Sequence, residues 1–348
     1  HSNSHEGYYP ARHSYWDGFW LLRGIKDATV MAERFGFVED AAWLRNFENT
    51  CREHLYASIL AVVEGAQLES IPGCVELADF DPTSTAIAIM VADERDYLPR
   101  PYGTNTFSLY WEELAKRIES TESAKLYTPY EVRNADAFVR LGWRDRALEA
   151  LRYFVRDGSR PWAWNQMAEV VHTSIRTPAY IGDMPHTWVG ADYVNAVRSL
   201  FVYEDLDVLV LAAGVDPGWL QAGVKVADLP TEYGVVGYAM HVVDGTLNIE
   251  VNGDAQPPGG FVLHLPKPSG VTRIILNGEV LSSGLSMTRF ATLQDLGALN
   301  RRDEELVPAD PAVLSWLKRV QDTTTPEKSL LGSMQDGQLQ TFNNALAA

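Results

Sequence analysis

The sequence predicts a mainly α chain of antiparallel helical hairpins, followed by a small antiparallel β-domain. Two observations carry that reading. Up to about residue 214, apolar residues recur at three- and four-residue spacings in paired segments joined by polar links. From about residue 222 the period shortens to two. Short β-branched runs are there separated by Asp-Gly, Asn-Gly-Asp, Pro-Pro-Gly-Gly and Asn-Gly, the usual hairpin punctuation.

The first helix spans about 15–35, with Phe19, Leu22, Ile25, Ala28, Met31 and Ala32 in register and Gly36 as its stop. The second follows Glu39-Asp40 and runs to Val63 through Trp43, Phe47, Cys51, Leu55 and Ile59. A polar, Pro-containing loop (about 65–83) leads into a helix at 85–92, and another helix covers about 106–122. Tyr127-Thr128-Pro129-Tyr130 opens a helix at 131–141, Gly142 ends it, and 144–155 is its partner. A long loop (about 158–184) precedes a helix from Pro185 or His186 to about Tyr203. Trp16, Asp81, Tyr130 and His186 precede or open the apolar members of successive pairs, at separations of 65, 49 and 56 residues. No pair is thick enough to bury its own apolar face, so the pairs must stack. The polar-aromatic clusters ahead of those helices are then expected at one end of the array. Three regions follow: helical at 1–214, a small β-sandwich-like domain at 215–283, and a polar, partly helical tail at 284–348 with periodicity only at Ala312 to Val320.

Composition narrows the function classes. The formal net charge is -17, with no basic footprint for phosphate, which excludes nucleic acid and weighs against an anionic membrane surface. No run of 18 apolar residues is present to span a bilayer. Cys51 and Cys74 fit no metal pattern and read as thiols rather than a disulfide. Beginning at His1 without a Met or signal segment, the chain reads as a mature product or a fragment. Localisation is weakly constrained, pointing if anywhere to a secreted or periplasmic protein.

Aromatic residues (10 Trp, 15 Tyr, 12 Phe) sit in short clusters beside charges, a combination suited to the flat apolar faces of sugar rings. Tyr15, Trp16 and Trp20 surround Asp17, which is either an N-terminal residue satisfying free N–H groups or a general acid beside a stacking surface. Asp81 or Thr83 offers a cap for the next helix, and Asp81 is otherwise a substrate ligand. A calcium loop would need more oxygen ligands at regular spacing, so neither metal nor cofactor is expected. Tyr130 and Glu131 open another helix, where an acid is favoured by the dipole alone. Arg133 is uncomfortable at a positive helix end and implies an anionic partner nearby. Trp162, Trp164, Asn165 and Glu169, then His186 and Trp188, lie in or just after a long loop that is costly to order without a task. Glu169 is its candidate catalytic carboxylate, and His186 is a hydrogen-bonded wall residue or a base. Glycosidic cleavage needs one protonated and one ionised carboxyl on opposite sides of the anomeric carbon. A neutral glycan is the simplest substrate for so acidic a chain, although a local basic pocket would admit an acidic sugar.

Ser14-Tyr15-Trp16-Asp17 through Trp20 resembles the general-acid segment of trehalase-like six-hairpin glycosidases. The Glu169 loop with Pro185-His186-Thr187-Trp188 resembles the general-base region of inverting α-L-rhamnosidase-like members. Trp219-Leu220 to Val224, then Leu229-Pro230-Thr231-Glu232-Tyr233-Gly234, is similar to the start of the β-domain after the rhamnosidase barrel. The resemblance covers about residues 8–280. It implies an (α/α)6 toroid and an inverting glycoside hydrolase with Asp17 as acid, Glu169 as base and a water between. The helical pairs number four where the family has six, so either a remainder outside this chain, such as an N-terminal portion of the same protein, completes the barrel, or the barrel is incomplete. Competing readings are a polysaccharide lyase or sugar epimerase using His186, Tyr130 or Tyr127, and a non-catalytic glycan-binding protein.

Overall fold

Residues 10–120, 129–155, 187–281 and 284–293 are described by the computed structural model of the chain. It is a mainly helical structure with a β part. Among the described residues there are seven α-helices: α1 (Tyr15–Arg34), α2 (Val38–Ala66), α3 (Pro82–Met90), α4 (Tyr102–Glu119), α5 (Arg133–Arg140), α6 (Arg144–Phe154) and α7 (Thr187–Phe201). A 3-10 turn, Pro129–Val132, leads into α5. Gly36 and Gly142 end α1 and α5 as expected. Each adopts φ of +77°, where a side chain is strained, and donates its N–H back to the helix.

The helices form two rows. α1 packs on α3, α3 on α5, and α5 on α7, making an inner row; α2, α4 and α6 back onto α1, α3 and α5 from outside. Burial agrees with this placement: Pro82 through Ile89 of α3 and Arg133 through Val139 of α5 are all buried. Helices so enclosed lose the polar face of a surface helix, so α3 reads Thr-Ala-Ile-Ala-Ile at its centre. The main core runs along this row through Phe19, Ile59, Ile87, Phe107, Tyr110, Phe138 and Val189.

The β part departs from expectation. It is two mixed sheets, not an antiparallel one. The first orders β1 (Val202–Asp205), β2 (Val208–Leu211), β6 (Phe261–His264) and β9 (Met287–Phe290); the second orders β3 (Val224–Thr231), β4 (Gly234–Val243), β5 (Thr246–Gly253), β7 (Arg273–Leu276) and β8 (Glu279–Leu281). β6 runs parallel to β2, and β7 parallel to β5. The Pro-Pro-Gly-Gly segment does not fold β5 back on itself; it carries the chain across to the other sheet. The inner faces share one core, including Val202, Leu209, Leu211, Tyr238, Met240, Ile249, Phe261 and Ile274. β1 follows α7 directly, so the β part begins at Val202 rather than 215, and β9 carries it past 283. The periodic stretch Ala312 to Val320 lies outside the described residues.

Candidate functional site

The leading turns of the inner helices meet at one end. Ahead of α1, Ser14 forms an isolated bridge with Cys74, and the Tyr15 N–H donates to the Gly73 carbonyl at 2.9 Å. Pro72 bridges Phe80, so the strand-like loop that leads into α3 is tied to the start of α1. Trp188, in the first turn of α7, has its ring centroid 5.7 Å from Trp16, 6.2 Å from Trp20 and 6.0 Å from Tyr130. Trp16 and Trp20 are edge to face at 5.9 Å. All four rings are partly exposed. The sequence argument that aromatic clusters gather at one mouth thus holds for Trp16, Trp20, Tyr130 and Trp188.

Beneath the rings lies a charge pair. Arg133 is 3% exposed, and its Nε and Nη2 donate to Asp192 Oδ2 at 3.0 and 2.7 Å. The guanidinium sits 4.5 Å from the Tyr130 ring centroid and 5.7 Å from that of Trp188. Burial pushes the Asp192 carboxyl above the ordinary aspartate range, and Arg133 opposes that shift. Asp192 is therefore the anionic partner that Arg133 required. Sequence reasoning missed it, although a signal existed. The buried stripe of α7 is Val189, Asp192, Ala196, Ser199 and Leu200, and an acid on such a stripe must meet a cation.

The remaining candidates separate into placed and unplaced. Asp17 is half-buried in the first turn of α1, beside Trp16. Tyr15 turns away from the mouth: it is buried, and its hydroxyl lies 3.0 Å from Ser58 Oγ on α2. Asp81 caps α3. Oδ1 accepts from the Thr83 and Ser84 N–H groups at 3.1 Å and from the Thr83 hydroxyl, and Oδ2 accepts from the Ser84 hydroxyl. Glu131 faces the outer row, where it accepts from Tyr110 Oη at 2.9 Å and pairs with Arg117 of α4. Trp162, Trp164, Asn165, Glu169 and His186 lie outside the described residues.

A second polar cluster occupies the opposite end of the row. Glu94, fully buried, accepts from Arg52 Nε and Tyr56 Oη, each at 2.9 Å, and pairs with Lys26 at 2.6 Å. Burial alone would raise this carboxyl; Arg52 and Lys26 overrule it and hold it below the ordinary glutamate range. Arg95 reaches Asp205 at 3.0 Å and Arg140 reaches the Glu204 carbonyl at 3.0 Å, joining the turn after α3 and the end of α5 to β1. These groups satisfy one another, which marks the cluster as a structural joint rather than a receptive site.

Neither Cys51 nor Cys74 is in a disulfide. Among the described residues no group of three or more His, Cys, Asp or Glu side chains is arranged to hold a metal, and no helix is long and apolar enough to cross a membrane. No protein-family model matches the chain, and no curated protein matches it, so its chemistry is read from these residues alone.

Proposed function

We propose that the chain is a glycoside hydrolase acting on an oligo- or polysaccharide, a six-hairpin glycosidase of the (α/α)6-toroid type. One observation carries the reading: the rings of Trp16, Trp20, Tyr130 and Trp188 converge from the leading turns of three inner helices, and Asp17 follows Trp16 in the first turn of α1. Such a surface offers apolar faces to a sugar. The double row, α1, α3, α5 and α7 inside and α2, α4 and α6 outside, supports the toroid. Leu21 and Met31 on the exposed side of α1, with Phe35 just past its end, suit a further hairpin, supplied by an N-terminal portion of the same protein.

In this reading Asp17 protonates the glycosidic oxygen as the leaving group departs. Glu169 takes a proton from a water that attacks the anomeric carbon on the opposite face, and the configuration inverts. No cofactor takes part. The test is reducing-sugar release from a glycan panel by the native protein, Asp17→Asn and Glu169→Gln, with folding checked by circular dichroism. Each variant is expected to lose activity by about a thousandfold. Full activity in both overturns the acid–base assignment. Activity that instead depends on Tyr130 or His186 moves the protein to lyase or epimerase chemistry. Glycan binding without turnover in the native protein makes it a lectin-like binder.

A further inference from the structure

We infer a second binding site, on the outer row of helices, where Arg146 receives a small oxyanion: a carboxylate, sulfate or phosphate group. It stands at the trailing end of α5, apart from the leading turns that form the mouth, and is independent of the glycan reading. Arg146 lies in the first turn of α6, a positive helix end where a cation is disfavoured. Arg133, in the first turn of α5, meets the same disadvantage and has Asp192 to relieve it. No ion pair joins Arg146 to a carboxylate among the described residues, and its Nη1 is buried with no hydrogen-bond partner. A cation so placed calls for an anion from outside.

What holds Arg146 is aromatic. Its guanidinium lies 4.3 Å from the ring centroid of Trp143, which precedes α6, and 5.5 Å from that of Trp111 on α4. Phe138, fully buried, fixes both indoles: it is edge to face with Trp111 at 5.9 Å and tilted against Trp143 at 5.8 Å. A guanidinium stacked on rings keeps its in-plane N–H groups for a partner, and that fork matches the spacing of two oxygens on one oxyanion. Arg146 and both indoles are half-buried, so the cation is neither sealed in nor freely solvated. The helix end adds to the attraction. Trp143, the N-cap of α6, has no side-chain acceptor for the first-turn N–H groups. Acids on the same two helices limit the class of ligand: Glu112 and Glu113 of α4 and Asp145 and Glu149 of α6 are exposed. A polyanion would run onto them, whereas a single oxyanion group need not.

The experiment is isothermal titration calorimetry of the full chain, native and Arg146→Gln, at constant ionic strength. The probes are inorganic phosphate, D-galacturonate, uncharged D-galactose and oligogalacturonate. Phosphate or galacturonate is expected to bind with a Kd on the order of 1 mM, and Arg146→Gln to weaken that binding about tenfold or more. Galactose serves as the uncharged control, and its response should be the same in both proteins within about twofold. Galacturonate binding about tenfold tighter than phosphate would identify the ligand as a carboxylate carried on a ring that lies against the indoles. Equal affinities would identify a free inorganic anion. If Arg146→Gln fails to fold, Arg146→Lys replaces it; keeping the charge but losing the fork, it should bind about threefold or more weakly than the native chain. Binding of neither anion, or equal binding in native and variant, overturns the inference. So does oligogalacturonate binding about tenfold or more tighter than the monomer, because the receptor would then be an extended surface. A lowered urea midpoint in Arg146→Gln with unchanged anion affinity overturns it too, and makes Arg146 a packing residue.

Discussion

Trp16 and Trp188 stand in the first turns of the first and last helices of the inner row, with their ring centroids 5.7 Å apart. The contact between these two helices is thus made by the same side chains that form the candidate sugar surface. Trp188 also meets Trp20, Tyr130 and Arg133.

Trp188→Ala is accordingly expected to destabilise the fold by about 2–3 kcal/mol, less than a fully buried tryptophan because this one is partly exposed. Trp43 supplies the control. It is 61% exposed and stacked on Phe47 at 5.1 Å, so Trp43→Ala should cost less than about 1 kcal/mol. Urea unfolding of the two variants checks the difference, and equal losses would mean that Trp188 joins nothing.

Arg133→Met leaves Asp192 buried without its cation and should cost about 3–5 kcal/mol. Adding Asp192→Leu removes the orphaned charge, and the double variant should recover to within about 1 kcal/mol of the native chain. A double-mutant cycle by chemical denaturation measures the coupling. Additive losses would show the pair to be electrostatically idle.

Glu94 fixes the sign of one pH dependence. Its carboxyl is held below the ordinary value of 4.5 in the folded chain by Arg52 and Lys26, against the opposing effect of burial. The folded state then binds its proton less readily than the unfolded chain does. Its stabilising contribution is complete above about pH 4.5 and is lost as the pH falls through the lower folded value. Glu94→Gln should flatten the acid limb of a stability–pH curve between about pH 5 and pH 3 while lowering stability at neutral pH. An unchanged acid limb would remove Glu94 from the account.

Asp81 separates capping from binding. Asp81→Ala removes the acceptor for two backbone N–H groups and two hydroxyls and should cost about 1–2 kcal/mol by thermal or urea unfolding. Asp81→Asn keeps a capping oxygen and should cost well under half of that. Turnover that collapses in a stable Asp81→Asn variant would restore a direct role at the substrate.

The helical pairing was legible because it rests on local periodicity. The stops at Gly36 and Gly142 and the starts of α1, α6 and α7 fall within about two residues of the sequence reading. α3 and α4 begin earlier than read, at Pro82 and Tyr102, the first because Asp81 rather than a later residue is the cap. Sheet partners were not legible. The parallel pairings of β2 with β6 and β5 with β7 join segments far apart in sequence, and the hairpin punctuation near 252–260 conceals a crossover. β1 was absorbed into the preceding helix because Val202-Tyr203 continues an apolar run with no turn residue between them. At the mouth, the aromatic residues were found because composition marks them. Glu131 and Tyr15 were grouped with them because the sequence does not tell which way a first-turn side chain faces. Glu131 goes to Arg117 and Tyr15 to Ser58.

The direct passage from α7 into β1 has a mechanical meaning. The last turn of α7 is clamped from several sides: Ala212 and Gly214 donate to the carbonyls of Phe201 and Leu200, Tyr238 donates to Phe201, and Arg198 grips Glu204. Fifteen residues form a rod about 22 Å long, rigid enough to carry a rotation at its foot to its tip. One residue of slippage at Phe201 would swing Trp188 by about 100° and take it off Trp16. The sheets thus serve as the mounting that aims the far end of the helix. Exchanging them for another β-domain would preserve every side chain of the mouth and still leave Trp188 pointing elsewhere.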